Sequence, residues 1–378
     1  MSSFFYEKYV NFVLIMVKNE FIRFIETGVC AEVSHFSSAS HCDVHMMLHV
    51  SSQMEFEAQL KAIIETENKL FNSATYSCLS CVMKRYFLSD IVNQAPVLHT
   101  MQHDDSYSVV QQPPLDGSKI AVWIWLTSKE DVSADQHIVF NQFIPSSIGC
   151  QSDSSAAQTT AILNAYENEL NSQNCRIAEH SVRTWFFVRD VDTQYAGMVD
   201  ARRNFFEEHG LTDQTHYLAS TGIGGLPENT KDILLLDTLT IYGVQPSRLH
   251  YLQAKTHLNP TYEYGVTFER GTKVDFLNHS HIFISGTASI DNKGNVLFEG
   301  NITKQTQRML ENVQILLQEG GAELSDVVQA IVYLRDIADY SLVSNIIKER
   351  LPLVPMVITY APVCRPTWLI EMECIASI

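Results

Sequence analysis

Two glutamates near the C-terminal end of the 378-residue chain carry the clearest chemical signal in the sequence. After a turn predicted at Pro366, residues 369–376 read L-I-E-M-E-C-I-A and alternate as a β-strand does, so Glu371 and Glu373 share one face. Placing two carboxylates on one face is costly in free energy unless water solvates that face or the two groups have a function. A carboxyl group buried beside a like charge keeps its proton near neutral pH and serves as a general acid. The alternative is an edge strand with a solvated acidic face.

The elements that must position this strand are predicted directly upstream of it. An apolar strand runs into a small-residue turn, and an amphipathic helix follows, with Met309, Leu310 and Val313 on its apolar stripe. A β-rich run, a second helix and another strand lead back to the glutamates. The predicted order is β-β-α-β-α-β-β, and the ranges of its five middle elements are 281–289, 305–318, 326–336, 341–350 and 356–361.

Four ordered motifs within residues 262–378 carry a family resemblance. They read F-I-S-G-T-A, Q-T-Q-R-M-L-E-N-V-Q-I-L-L-Q-E-G-G-A, V-Y-L-R-D and I-E-M-E-C-I-A. Together they closely resemble the RidA/YjgF family, which has also been labelled endoribonuclease L-PSP or translation initiation inhibitor. The block from Cys364 to Glu373 is also similar to the C-R-x-x-x-L-x-E-x-E block of the chorismatases, whose C-terminal part is RidA-like.

A repeated order of elements predicts three such modules in one chain. Strands ending at Asp90, Asp190 and Asp336 each follow an amphipathic helix, and each precedes a further apolar or alternating strand. We therefore predict an α/β (α+β) fold of three tandem RidA/chorismate-mutase-like β-β-α-β-α-β-β modules. RidA proteins form homotrimers with clefts between subunits, so the resemblance implies a pseudo-trimer.

The predicted domains are an N-terminal extension (1–29), a degenerate module (30–130), a second module (131–250) and a C-terminal module (251–378). The first module is expected to be degenerate because no convincing second helix follows Asp90. The apolar run at residues 9–17 is too short to span a bilayer and is expected to pack on the body of the protein. A true start at Met16 is the alternative.

The resemblance implies roles for three residues. Glu371 matches the glutamate to which chorismatases assign protonation of the terminal methylene carbon of an enolpyruvyl ether. Glu373 is then the like charge beside it, and Cys364 matches a position lining the chorismatase pocket. A structural buried thiol is the alternative for Cys364.

Substrate carboxylates require guanidinium partners, and two arginines are candidates. Arg270 ends Y-G-V-T-F-E-R, which begins at Tyr264 and loosely resembles a Y-G-P-x-x-P-x-F-x-R block of chorismatases without its prolines. Arg335 ends a predicted strand beside Asp336. Thr221 and Gly222, in a glycine-rich turn after a strand, complete the expected substrate-binding set with Tyr264. Surface arginines paired with local carboxylates are the alternative.

Composition narrows the class of protein. The net charge of −17 repels phosphate backbones, so no nucleic-acid partner is expected, and no membrane partner either. Eight scattered cysteines indicate reduced thiols and a cytoplasmic protein. His41, His45 and His49 recur every four residues, a spacing that would align metal ligands on a helix, but the stretch around them alternates like a strand. No metal or other cofactor is therefore expected.

These observations favour a chorismatase-like, cofactor-free enzyme that releases pyruvate from chorismate or a related enol ether. One alternative is a RidA-type imine or enamine deaminase. Deaminating RidA proteins hold the substrate carboxylate with an arginine, and the corresponding position in the C-terminal module is Met356. Another is a non-catalytic RidA-like protein that binds a small metabolite. In each case the expected partner is a small anionic metabolite, and the chain is either a monomeric pseudo-trimer or a homo-oligomer.

Overall fold

A computed structural model of the protein describes residues 16–38, 41–102, 107–128 and 137–378, and the side chains of Met16 and Tyr264 lie outside this description. Most of the apolar N-terminal run therefore lies outside the described residues. The described chain forms three β-sheets, each within one consecutive segment. We name these segments module one (16–128), module two (137–242) and module three (249–378).

The modules contain the following elements. Module one consists of β1 (Met16–Phe24), β2 (Val29–Ser37), β3 (Cys42–Val50), α1 (Phe56–Phe71), β4 (Leu79–Leu88), α2 (Ile91–Met101), β5 (Tyr107–Gln111) and β6 (Ile120–Ser128). Module two consists of β7 (His137–Phe143), α3 (Ser155–Ser172), α4 (Ile177–His180), β8 (Ser181–Val188), α5 (Val191–Glu208), β9 (Ala219–Gly224) and β10 (Leu234–Tyr242). Module three consists of β11 (Leu249–Leu252), β12 (Gly271–Asp275), β13 (Ser280–Ala288), α6 (Ile302–Glu319), β14 (Val327–Leu334), α7 (Tyr340–Arg350), β15 (Met356–Tyr360) and β16 (Ile370–Ser377).

All three sheets share one topology. The strand order is β1-β2-β3-β6-β4-β5 in module one and β11-β12-β13-β16-β14-β15 in module three, and module two has the corresponding inner four strands, β7-β10-β8-β9. In every module the last pair of this order is parallel and the other pairs are antiparallel. The predicted fold of three RidA-like modules is therefore confirmed.

Module one retains the second helix that the sequence was expected to lack. Helix α2 forms although Pro96 lies inside it, on its exposed side. Proline removes one i→i−4 hydrogen bond and disfavours a helix interior, which is why the sequence pattern hides this helix. Burial of Ile91, Ala95 and Leu98 in the core of module one compensates for that loss.

The module boundaries also differ from those predicted. Strand β1 pairs with β2 along its whole length, so residues 16–29 belong to the sheet of module one and are not an extension. Strand β11 starts at Leu249 and pairs with β12, so module three begins just before residue 251. Within the described residues, module two is the most reduced module, since its sheet has a single strand before its first helix.

The helices cover the outer faces of the sheets, and the inner faces meet in a common core. Trp123 of module one, Trp185 of module two and Phe283 of module three are buried in one hydrophobic cluster. Isolated backbone bridges join β9 to module three at Ala219–Glu269 and Ile223–Val363. The sheets therefore form one body with clefts between modules. Within the described chain, no helix is long and apolar enough to cross a membrane.

Candidate active site

A cavity lies between modules two and three. Module two contributes Tyr195 and Arg202 from α5 and residues 220–222 from β9. Module three contributes Arg270, the loop before β16, and Glu371 on β16 itself. Glu371, Cys364, Arg270, Thr221 and Gly222 were all predicted site residues, so the fold brings residues from two modules to one cavity.

Glu371 faces this cavity because of its place on β16 and a bulge in the neighbouring strand. It lies opposite Ala288 of β13, and the register of that strand shifts between Ile284 and Thr287. Gly286 lies within the bulge, where an added Cβ would approach Glu371 Oε1 to 1.9 Å. The absence of a side chain at residue 286 therefore makes room for the carboxyl group.

The environment of Glu371 favours the protonated acid. Its side chain is only 4% exposed, and among the described residues its carboxyl group makes neither a hydrogen bond nor an ion pair. Burial, followed by the neighbouring charge of Glu373, raises the pKa of Glu371 to about 8, against opposing effects of Arg183 and Arg270. The carboxyl group of Glu371 is thus mostly protonated near pH 7.

Glu373 is equally buried but has three donors from module two. Its carboxylate accepts from Arg183 Nη2 at 2.8 Å, from Trp185 Nε1 at 2.6 Å and from Thr221 Oγ1 at 2.6 Å. These contacts satisfy the charged form. Glu373 therefore supplies the fixed negative charge beside Glu371, as the alternation of β16 suggested.

Thr221 joins the two modules at the cavity, and Gly222 beside it allows close packing within module two. Besides donating to Glu373, Thr221 Oγ1 accepts from the Gly286 backbone N–H at 2.9 Å and from Arg183. An added Cβ on Gly222 would meet Tyr195 Cε2 at 2.8 Å. Glycine at this position therefore allows the tyrosine ring of α5 to lie directly on β9.

The cavity is lined by three arginines, of which only Arg270 was predicted. Arg270 donates to the Asn259 carbonyl oxygen at 3.0 Å. Arg202 donates to Thr267 Oγ1 at 3.2 Å and is 1% exposed, while the guanidinium of Arg365 lies over the Trp368 ring. A signal for Arg202 was present in the sequence, since it follows Met198 by four residues on the apolar stripe of α5.

Arg335 does not line the cavity. Its guanidinium donates to the Val363 carbonyl oxygen at 2.7 Å and forms an ion pair with Asp192. The structure therefore places Arg335, a predicted substrate-binding residue, outside this cavity, where it joins the end of β14 to module two. The short-range pattern that suggested it, an arginine at a strand end, carries no information about which cleft that end faces.

Cys364 lies in the cavity wall as a neutral thiol. Burial, followed by the charge of Glu371, raises the pKa of Cys364 to about 12, and Cys364 is hydrogen-bonded to Tyr195. A thiol held in this way is a poor nucleophile. Tyr264 closes a short 3-10 turn at residues 261–264, and its side chain lies outside the described residues.

Comparison with known proteins places this site within a recognised fold. Residues 274–378 match the family model described as endoribonuclease L-PSP. A RutC family protein of Pyrococcus abyssi is 38% identical over 68 residues, which are 18% of this chain and 54% of that protein. The 3-aminoacrylate deaminase RutC of Acinetobacter baylyi is 31% identical over 71 residues, 19% of this chain and 56% of that protein. The chain thus spans about half the length of the curated relatives it matches.

A solved structure extends the likeness to all three modules. The crystal structure of a chorismatase superposes with a TM-score of 0.61 at 18% sequence identity, covering 79% of this chain and 93% of the chorismatase chain. At this identity the comparison establishes a shared fold.

Proposed function

We propose, because the chain resembles the RidA/YjgF superfamily and shares the fold of a chorismatase, that it is a cofactor-free enzyme releasing pyruvate from chorismate or a closely related enol ether. The observation that carries the proposal is Glu371, a buried carboxyl group whose pKa is raised to about 8 in a cavity lined by arginines. An enol ether is cleaved by an acid able to protonate carbon, and this geometry provides one at neutral pH.

The proposed reaction uses Glu371 twice. Its proton is transferred to the terminal methylene carbon of the enolpyruvyl group, which forms a C–H bond and leaves an oxocarbenium ion. Water adds to the cationic carbon, and the Glu371 carboxylate takes the proton that the water loses. The resulting hemiketal breaks the bond between this carbon and the oxygen attached to the ring. The proton of the hemiketal hydroxyl group is transferred to that oxygen, which gives pyruvate and a ring hydroxyl group.

The remaining residues bind and orient the substrate. Arg270 and Arg202, both buried in the cavity wall, are the proposed partners of the substrate carboxylates. The fixed charge of Glu373 disfavours ionisation of Glu371 and lies where it stabilises the developing cation. The neutral thiol of Cys364 and the ring of Tyr195 form the wall and take no covalent part.

The test is pyruvate release from chorismate by the purified protein and its Glu371→Gln variant. Loss of the acid is expected to lower kcat by at least about a hundredfold, the lower end of the range for general acid catalysis. Glu349→Gln, at an exposed position on α7, is the matched control and is expected to retain native activity. Absence of pyruvate from the native protein would exclude the reaction, and equal rates from native and Glu371→Gln would remove the acid role.

The 31% identity to a 3-aminoacrylate deaminase over 71 residues favours one second candidate, a RidA-type imine or enamine deaminase. Glu371 would then protonate the enamine carbon, and water would displace ammonia. Ammonia release from 2-aminoacrylate without pyruvate release from chorismate would support this activity. Chorismate binding by calorimetry with no turnover of either compound would support a metabolite-binding protein.

A further inference from the structure

A second cluster of chemically capable side chains lies between modules one and three, away from the Glu371 cavity. His41 and Asp43 lie at the start of β3, and His279 and His281 lie at the start of β13. One ligand atom from each residue lies within 4.8 Å of the other three, and all four side chains are buried. Among the residues that the structure describes, this cluster is the one group with three or more potential ligands so close together.

Asp43 lies at the centre of the cluster. Its Oδ2 atom is 2.6 Å from His41 Nε2 and 2.9 Å from His281 Nε2, while its Oδ1 accepts from Trp125 Nε1 at 3.1 Å. One carboxylate oxygen thus faces two imidazole nitrogens. Either N–H hydrogen bonds from the Nε2–H tautomers of both histidines or a metal cation can hold these three atoms together.

Partners outside the cluster orient both imidazoles inward. His41 Nδ1 is 3.3 Å from Ser128 Oγ, and His281 Nδ1 is 3.0 Å from Ser377 Oγ. A metal-binding histidine usually donates its other ring N–H to such a partner, which fixes the tautomer and leaves the inner nitrogen as a ligand. The two serines and Trp125 therefore form the outer contacts that a metal site needs.

His279 supplies an independent observation, a buried nitrogen without a partner in the described structure. It is 8% exposed, and in the described structure its Nε2 atom has no hydrogen-bond partner. Its ring lies parallel to His41, with 3.8 Å between the centroids, and also stacks on Phe276. A buried polar nitrogen without a partner is costly, and coordination to a cation removes that cost.

We propose that His41, Asp43, His279 and His281 bind one Zn²⁺ ion that joins module one to module three. Three imidazoles and a carboxylate are ligands that Zn²⁺ accepts, and four protein ligands make a closed, structural site. Zn–N distances near 2.1 Å imply ligand atoms about 3.4 Å apart. The cluster must contract, and the His279 ring must turn out of its stack with His41. The spacing of His41, His45 and His49 does not predict this site, because the ligands of the site come from two strands of different modules.

The first experiment measures zinc in the purified full-length protein by mass spectrometry after dialysis against metal-free buffer. Roughly one Zn²⁺ per chain is expected, and His279→Gln is expected to lower this content about tenfold or more. His45→Gln is the matched control: it changes another buried histidine of β3 that is outside the cluster, and it is expected to retain zinc. Circular dichroism of all three proteins checks that they are folded.

The second measurement does not depend on a variant. Protein stripped with a chelator is titrated with ZnCl₂, and its melting temperature is expected to rise until about one equivalent is bound. Co²⁺ in place of Zn²⁺ is expected to give the visible absorption of a tetrahedral site. A native protein without zinc that neither binds added Zn²⁺ nor melts at a higher temperature would overturn the proposal, as would equal zinc in native and His279→Gln.

Discussion

At the scale of single residues, Glu371 and Glu373 show how neighbours assign opposite roles to identical side chains. Both lie on one face of β16 and are almost fully buried. Three donors bind Glu373, whereas the pKa of Glu371 is raised to about 8 by burial and by the charge of Glu373. The difference in hydrogen bonding, and not the strand itself, makes one group a fixed charge and the other an acid.

This difference predicts how activity depends on pH. The proposed reaction requires protonated Glu371, so kcat/KM for pyruvate release is expected to fall about tenfold per pH unit above pH 8. A pH–rate profile of the native protein measures this limb. Any residual activity of Glu371→Gln is expected to lack it. A native profile that is flat between pH 7 and about 10 would contradict the assignment.

The same pKa predicts a pH dependence of stability. The folded value, about 8, lies above the ordinary 4.5, so the folded state holds the proton more tightly than the unfolded chain. Proton binding by Glu371 therefore stabilises the folded state fully below pH 4.5, and this stabilisation is lost as the pH rises through 8. Glu371→Gln, which cannot ionise, is therefore expected to gain stability relative to the native protein between pH 5 and 8. Thermal melts of both proteins across this range measure the effect, and a constant difference in melting temperature would contradict it.

Arg270 provides the corresponding test of substrate binding. Arg270→Lys keeps the charge but loses bidentate geometry, so we expect kcat/KM to fall roughly thirtyfold, equivalent to about 2 kcal/mol. Most of the change is expected in KM, because the arginine binds a carboxylate that does not react. Arg350→Lys, at an exposed position whose arginine contacts Gln314, serves as the control. An unchanged KM in Arg270→Lys would remove Arg270 from the binding site.

At the scale of elements, a bulge in β13 and the apolar stripe of α5 shape the cavity. The bulge places Gly286 beside the Glu371 carboxyl group, and the stripe places Tyr195 and Arg202 against β9. Bulges commonly redirect side chains at functional sites. Here the bulge opens the space that a regular strand would fill with a side chain.

Gly286→Ala tests this role of the bulge. The new Cβ would lie 1.9 Å from Glu371 Oε1, so the carboxyl group must move, and we expect pyruvate release to fall about a hundredfold. The stability cost is expected to be about 1–3 kcal/mol, typical of overpacking. In a Glu371→Ala background the same substitution is expected to cost little. A double-mutant cycle by urea denaturation measures the coupling, and additive costs would contradict a direct contact.

At the scale of the whole molecule, a buried contact between polar side chains crosses each interface between modules. Arg85 Nη2 lies 2.8 Å from Asp237 Oδ2 between modules one and two, and Arg183 pairs with Glu373 between modules two and three. His281 and Asp43 form the contact between modules three and one. Partners that are buried and paired across modules require the three sheets to dock in one arrangement.

The contribution of this docking to the free energy of unfolding can be tested at the Arg85–Asp237 pair. Arg85→Met leaves a carboxyl group buried, where burial already raises the pKa of Asp237 against the effect of Arg85, and it is expected to cost about 3–5 kcal/mol. Arg85→Met combined with Asp237→Leu is expected to recover most of that loss, because no charge remains. Urea unfolding monitored by tryptophan fluorescence measures both. A double variant no more stable than Arg85→Met would show that packing, and not the unpaired charge, sets the cost.

Local patterns in the sequence determined the repeated elements and the face on which the glutamates lie. Alternation along residues 369–376 placed Glu371 and Glu373 together, and amphipathic periodicity predicted a helix before each of the strands expected to end at Asp90, Asp190 and Asp336. These features were predictable because side-chain periodicity depends on the nearest residues alone. Helix α2 was missed for the same reason, since its local signal is broken by Pro96 and its stability comes from burial.

Only the tertiary structure decided which residues meet and which of them are charged. Arg183, 190 residues before Glu373, fixes one carboxylate, whereas Arg335, which the local pattern favoured, turns to Asp192 outside the cavity. The histidines of the proposed zinc site likewise come from two modules. Burial and charge pairing depend on contacts between segments far apart in the chain, and no local periodicity contains that information.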